Sequence, residues 1–235
     1  MSKNNNATEI ILTRVRGSFL DIFEAKAFND GAPRFSGTWL IAKNDPQVKT
    51  IMAAMKAAAR GKWGSKADIQ MKQLAQMDRL ALHDGDLKTD SSGETLDGYA
   101  DHFYVNSGTK QDAPPIVYSA DGTRIDDPAK RAAHVDGIPY NGCYCHVRIN
   151  MWAQDNQWGR RVNAGLLAVV FAEDGESFGK TRATEAGTVD AFAAAGITVG
   201  GAEMPDNYDP DDNEGGDDES DVDEDGDDLS ALLGG

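Results

Sequence analysis

Residues Gly142–Asn156 read GCYCHVRINMWAQDN, and after only Gln157 and Trp158 the chain resumes as Gly159–Gly175, GRRVNAGLLAVVFAEDG. Successive side chains of an extended strand point to opposite faces. One face of the first stretch then carries Cys143, Cys145, Val147, Ile149, Met151 and Ala153, all small or apolar. The other carries Tyr144, His146, Arg148, Asn150 and Trp152. That is the pattern of a strand with one side in a core and one side outside it. The short gap makes the two stretches a β-hairpin.

Working outward, EIILTRVRGSFLDIF (Glu9–Phe23) is rich in β-branched and aromatic residues, with Gly17 where a long strand could bend. RFSGTWLIAK (Arg34–Lys43) is a second strand whose apolar set is Phe35, Trp39 and Ile41, so Trp39 is expected in the core. The period then changes. Asp45 can cap a helix that begins at Pro46, with Val48, Ile51, Met52 and Met55 on one face and Gly61 as its stop. Ser65 and Asp68 suggest a capping box for a second helix carrying Ile69, Leu74 and Met77. Residues 83–100 read as loop, HFYVNSG as a short strand, and DAPPIVYSADG as an extended piece closed by an Asp121-Gly122 turn. Thr188 can cap a short helix over Val189–Ala195 that Gly196 ends.

About five strands and two helices in one insertion are too few helices for alternating βαβ units. The expected fold is mainly β: an OB-fold-like five-stranded barrel with a helical insertion after strand 2, at about residues 45–80.

Charge divides the chain. The formal net charge is −16, yet 14 of the 39 acidic residues lie after Met204, where there is no Lys or Arg. Residues 1–204 are therefore expected to be the folded, nearly neutral domain, and 205–235 a disordered acidic tail. So acidic a run has too little apolar area to offset the entropy of ordering it. Between Lys43 and Arg79, by contrast, eight basic residues face three aspartates, the most basic part of the chain. No apolar run is long enough to span a membrane. The polar start MSKNNNATEI lacks an apolar signal region, so the expected compartment is the cytoplasm, with Cys143 and Cys145 as free thiols.

The outer face of Gly142–Gln154 mixes rings with basic and amide groups, as a stacking surface for unpaired bases does. An ordinary mixed outer face, or a protein interface, would share that composition. Other residues extend the same chemistry. Trp158, Arg160 and Arg161 lie at the hairpin tip, Tyr104 beside His102 on the third strand, Lys110 and Tyr118 on either side of the Pro-Pro turn, and Arg34 and Lys43 at the ends of the second strand.

Competing chemistries lack their signatures. Cys143, Cys145 and His146 point to opposite faces, and no second ligand pair completes a zinc tetrahedron, so no metal or other cofactor is expected. Counted from Asp84, a calcium loop would need Gly at its sixth position and Glu at its twelfth, where Thr89 and Thr95 stand. There is no phosphate-binding G-x-x-x-x-G-K-[ST] loop and no G-x-S-x-G elbow. A metal-dependent nuclease has no feature in its favour, and no enzyme is expected.

The series GAPRFSGTWLIAK, FYVNSGTKQDAPPIVYSADG, IPYNGCYCHVRINMWAQDN and GRRVNAGLLAVVFAEDGESFG resembles bacteriophage-encoded single-stranded DNA-binding proteins, over roughly residues 10–195. These are OB barrels with an acidic C-terminal tail. The resemblance implies sequence-tolerant binding of single strands in phage DNA replication and recombination, inside the host cell. It also implies contact with replication or recombination proteins through the tail. Here that tail includes Asp223, Glu224, Asp225, Asp227 and Asp228, and its apolar tip is Leu229, Leu232 and Leu233. Two departures are visible: such tails often end in an aromatic residue, and a plain OB barrel carries its helix later. Tethered to the body, the polyanion could compete with DNA for a cationic groove, or serve solubility alone. The alternative from a different class is a protein-interaction or adaptor module of phage assembly, with no nucleic-acid binding.

Overall fold

A computed structural model describes residues 7–27, 31–132, 137–178 and 192–197. The barrel body contains seven strands: β1 (Glu9–Lys26), β2 (Arg34–Ala42), β3 (Leu82–Asp84), β4 (His102–Lys110), β5 (Ile116–Tyr118), β6 (Tyr144–Asn156) and β7 (Gly159–Glu173). Among the described residues of this body three α-helices join them: α1 (Gln47–Trp63), α2 (Ala67–Gln76) and α3 (Pro128–Ala132). The sheet order is β3-β4-β2-β1-β6-β7-β5. A parallel pairing of β7 with β4, Ser107 opposite Ala164 and Gly108 opposite Gly165, closes β1, β2, β4, β6 and β7 into a five-stranded barrel. The fold is thus mainly β and OB-like, with α1 and α2 inserted after the second strand. Among the described residues no helix is long and apolar enough to cross a membrane.

The alternation of Gly142–Asn156 holds. Cys143, Cys145, Val147, Ile149 and Met151 are all buried, together with Leu12, Val15, Ile22, Trp39, Ile41 and Val105 from neighbouring strands. α1 adds Ile51, Ala54, Met55, Ala58 and Ala59 to the same core, and α2 adds Met71 and Leu74. Trp39 is fully buried and its indole N–H donates to the Ser107 hydroxyl at 2.7 Å. The ring fits because residue 37 is glycine: a Cβ there would stand 2.6 Å from the indole. Both cysteines are free thiols. Contact with Cys143, reinforced by burial, pushes the Cys145 thiol up and keeps it protonated.

Several local expectations change. The irregularities of β1 flank Gly17 rather than fall on it. The strand's register slips on either side, where Arg14 and Phe19 take φ of 53° and 50°. Gly17 instead exchanges backbone hydrogen bonds with Gly142 and Cys143, so the ladder is continuous at that point. Gly61 does not stop α1, which runs on to Trp63 and ends where Gly64 adopts φ 56°. A glycine inside a helix costs only about 1 kcal/mol. Continuing it packs Trp63 against the core and lets its indole donate to Asp155 at 3.1 Å. The Ser65/Asp68 capping box is absent because a 3₁₀ turn, Gly64–Lys66, leads straight into α2 and leaves no free start to cap. Asp45 does cap α1, accepting from the Gln47 N–H at 2.7 Å.

Residues 83–100 are more than loop. β3 pairs with β4, a 3₁₀ turn follows, and Tyr99 is buried with its hydroxyl donating to Ser18 at 3.1 Å. Separately, residues 192–194 are helical and Gly196 turns at φ 77°, the stop read from the sequence. Thr188 and the tail, 205–235, lie outside the described residues.

Candidate nucleic-acid interface

The outward positions of β2 and β4 pair across their ladder: Arg34 with Lys110, Ser36 with Gly108, Thr38 with Asn106. Thr38 donates its hydroxyl to the Asn106 carbonyl oxygen at 2.8 Å, which leaves the amide NH₂ of Asn106 to donate elsewhere. Beyond the closing seam, β6 and β7 bring Trp152 opposite Asn163. These strands enclose an open groove of about 630 Å³ whose walls include Lys26, Arg34, Ser36, Asn106, Trp152 and Asn163. A second hollow of about 640 Å³ adjoins it, with Pro33, Arg34, Lys110, Asp112 and Trp152 on its walls. Trp152 and Arg34 belong to both.

The groove combines a partly exposed indole, cations and amides. Trp152 is 42% exposed, so part of its indole is open to solvent. Arg34 and Lys110 are cross-strand neighbours of like charge, an arrangement that disfavours the fold by roughly 0.2–1 kcal/mol. Neither forms an ion pair among the described residues. Lys26 is held at 2.6 Å by Asp21, and that hydrogen bond raises its pKa.

The other sequence candidates scatter. Tyr144, His146 and Arg148 share the outer face of β6 with Trp152, but each already contacts a group of the protein. The Arg14 guanidinium lies 5.2 Å over the Tyr144 ring and pairs with Glu173 at 2.6 Å. The His146 Nδ1 accepts from the Arg14 backbone N–H at 3.2 Å. Arg148 donates to Glu9 at 2.6 Å. Tyr104 is 7% exposed, stacked on His83 at 4.9 Å and edge-on to Tyr99 at 5.5 Å, and the barrel's outer face is covered there. Lys43 is bound by Asp84 and Asp86, both at 2.6 Å. Tyr118 lies half-buried on β5, in a bridge with Arg124, and does not line the groove.

At the hairpin tip Trp158 is 75% exposed, with its backbone N–H held by the Asn156 side chain at 2.9 Å. Arg160 donates to Asp155 and to Gln70, each at 3.0 Å, tying the tip to α2. Arg161 is exposed opposite Gln154. Lys49, Lys56, Arg60, Lys62, Lys66 and Lys72 are exposed on the helical insertion.

Sequence reasoning missed Ser36, Asn106, Asn163 and Lys26. The same alternation that exposes Trp152 on β6 exposes Ser36 on β2 and Asn106 on β4. Which outward positions converge, however, depends on strand order and on the β4–β7 closure. No cluster of His, Cys, Asp and Glu among the described residues could hold a metal ion.

The family described as Enterobacter phage Enc34, ssDNA-binding protein, matches residues 8–196. Protein p50 of Acyrthosiphon pisum secondary endosymbiont phage 1 is 31% identical over 174 residues, covering 72% of this chain and 86% of p50. The single-stranded DNA-binding protein from bacteriophage Enc34, solved in complex with ssDNA, superposes with a TM-score of 0.59. It is 23% identical, over 76% of this chain and 97% of that one. Another structure of the single-stranded DNA-binding protein from bacteriophage Enc34 gives a TM-score of 0.55 at 21% identity, over 80% of this chain and 96% of that one. Both superpositions agree with the barrel described above.

Proposed function

Because the chain belongs to the Enc34 family of phage single-stranded DNA-binding proteins, we propose that it binds single-stranded DNA through the groove around Trp152 and acts by binding, without catalysis. The observation that carries this reading is the cross-strand pair Arg34–Lys110 beside an open indole. Like charges held together, with no ion-pair partner among the described residues, suit a polyanionic ligand. OB barrels bind oligonucleotides on the face of their second and third strands and the loops beside it. Here those strands are β2 and β4.

Stacking on Trp152 would be tolerant of sequence, since every base has a π-face, and is worth roughly 1–3 kcal/mol per base. Arg34 and Lys110 would neutralise phosphates. Trp158 and Arg161 at the hairpin tip, and the exposed lysines of α1 and α2, would extend the track. Tyr144, His146 and Arg148 join it only by giving up the partners they have. We assign the protein to phage DNA replication or recombination in the host cytoplasm, with residues 1–204 as the binding domain.

The acidic segment 205–235 is assigned a regulatory role. Tethered to the binding domain it would reach millimolar effective concentration at the cationic groove, so it displaces weak ligands and yields to a long strand that also stacks. Leu229, Leu232 and Leu233 give it an apolar tip for a replication or recombination protein.

The test is the anisotropy of a labelled oligothymidylate titrated with the full-length protein across a salt series. Affinity should fall with salt, with a log–log slope of about −0.7 per phosphate contacted. An intact fold with no salt-dependent binding, before or after tail removal, would assign the exposed rings to a protein partner instead.

A further inference from the structure

A third hollow lies on the same outward face of the barrel. Its volume is about 310 Å³ and its walls are Phe19, Leu96, Asp97, Tyr99, Asn141 and Phe178. Ser18, at its floor, is buried and accepts from the Tyr99 hydroxyl at 3.1 Å. Ser18 pairs with Thr38, which is two residues along β2 from Ser36 in the groove wall. Residues two apart on a strand share a face and stand about 7 Å apart. The hollow therefore continues the line of the groove.

Phe19 is the unusual residue there. It is 54% exposed and takes φ 50°, a conformation rare for a bulky side chain. The other described non-glycine residues with positive φ are Arg14, Asp78 and Asp101. The two aspartates tolerate the left-handed region, and Arg14 is occupied by Glu173. At Phe19 the neighbours enforce the geometry. The Leu20 N–H donates to the Asn141 side chain at 2.8 Å, and Gly17 is locked to Gly142 and Cys143 by backbone bonds of 2.8 and 2.9 Å. A strained backbone that leaves about half of a phenylalanine exposed is accounted for if the ring is used on a ligand.

From this geometry we propose that Phe19 is a stacking platform for a base of the bound strand, with the base edge entering the hollow between Leu96, Tyr99 and Phe178. The inference rests on the reading of the chain as a single-stranded DNA-binding protein and adds a subsite to it. The walls are mainly apolar, which suits a base. The lone carboxylate, Asp97, repels phosphate and so directs the backbone outward. Arg16 lies beside the hollow, its guanidinium 4.0 Å over the Phe178 ring, and supplies a cation at the edge.

The test compares full-length wild type with Phe19→Ala, Phe19→Tyr, Phe19→Leu and Trp152→Ala. Each is titrated against labelled thymidylate strands of about 4 and about 16 nucleotides, the limits of the range for one OB barrel. Phe19→Ala should weaken the long strand about 5- to 150-fold, the factor for one stacked base, and leave the short strand unchanged. Phe19→Leu should be as weak as Ala, and Phe19→Tyr should match wild type even if Ala lowers the melting temperature. Full affinity in Phe19→Ala or Phe19→Leu, alongside loss in Trp152→Ala, overturns the inference and leaves the DNA-binding reading standing; the hollow would then belong to a protein side chain. No binding by wild type overturns both.

Discussion

Arg34 and Lys110 stand opposite each other at the end of the β2–β4 ladder, with Trp152 on the walls of the same hollow. Arg34→Glu would turn this repulsive pair into an attractive one. The fold should gain up to about 1 kcal/mol, read as a higher urea midpoint, while affinity for oligothymidylate falls. The salt slope should become shallower by about 0.7, because one phosphate would no longer meet a cation. A variant both less stable and unchanged in binding would place the DNA elsewhere.

The compensated part of β6 should behave differently. Tyr144 lies under Arg14 and Arg148 is held by Glu9, so Tyr144→Ala and Arg148→Gln should each change affinity less than Trp152→Ala does. An anisotropy series over the three variants would show it. Equal losses would mean that the whole outer face of β6 contacts the strand.

Inside the barrel, Ser107→Ala removes the acceptor of the buried Trp39 N–H. An unsatisfied buried donor costs about 1–3 kcal/mol. Equilibrium urea unfolding should therefore show a lower midpoint with an unchanged m-value, and DNA affinity should stay the same. A midpoint equal to wild type would mean the indole finds another acceptor.

Removing the tail after Met204 takes away 14 carboxylates and no Lys or Arg. If the tail competes for the cationic groove, the truncated protein should bind short oligonucleotides more tightly at low salt, and the difference should fade as salt screens both ligands. Equal affinities at all salt concentrations would reduce the tail to a solubility or partner-binding element.

The barrel was legible because its strongest signal is local. Cys143 through Met151 alternate without a break, and a two-residue gap before Gly159 fixes the hairpin. Trp39 was assigned to the core by the same rule. The stop at Gly61 was not legible, since α1 gains more from packing Trp63 than it loses at one glycine. Nor was the burial of Tyr104. Its partner Tyr99 comes from a polar segment and packs on Leu40 of β2, with its hydroxyl anchored to Ser18, both residues distant in sequence. The groove shows the same limit. Trp152 was visible as an outward residue, Arg34 as a cation at a strand end and Lys110 as one beside the Pro-Pro turn, but only the β4–β7 closure brings their strands around one hollow. Phe19 left no periodic signal at all, because a register slip places it outside the alternation of β1.

The central claim is that Trp152 is the stacking platform of this groove. The most direct measurement is the affinity of Trp152→Ala for a labelled oligothymidylate, set beside wild type at one low salt concentration, with circular dichroism confirming the barrel. The account predicts a loss of roughly 1–3 kcal/mol with an unaltered spectrum. Wild-type affinity in a folded Trp152→Ala protein would contradict it.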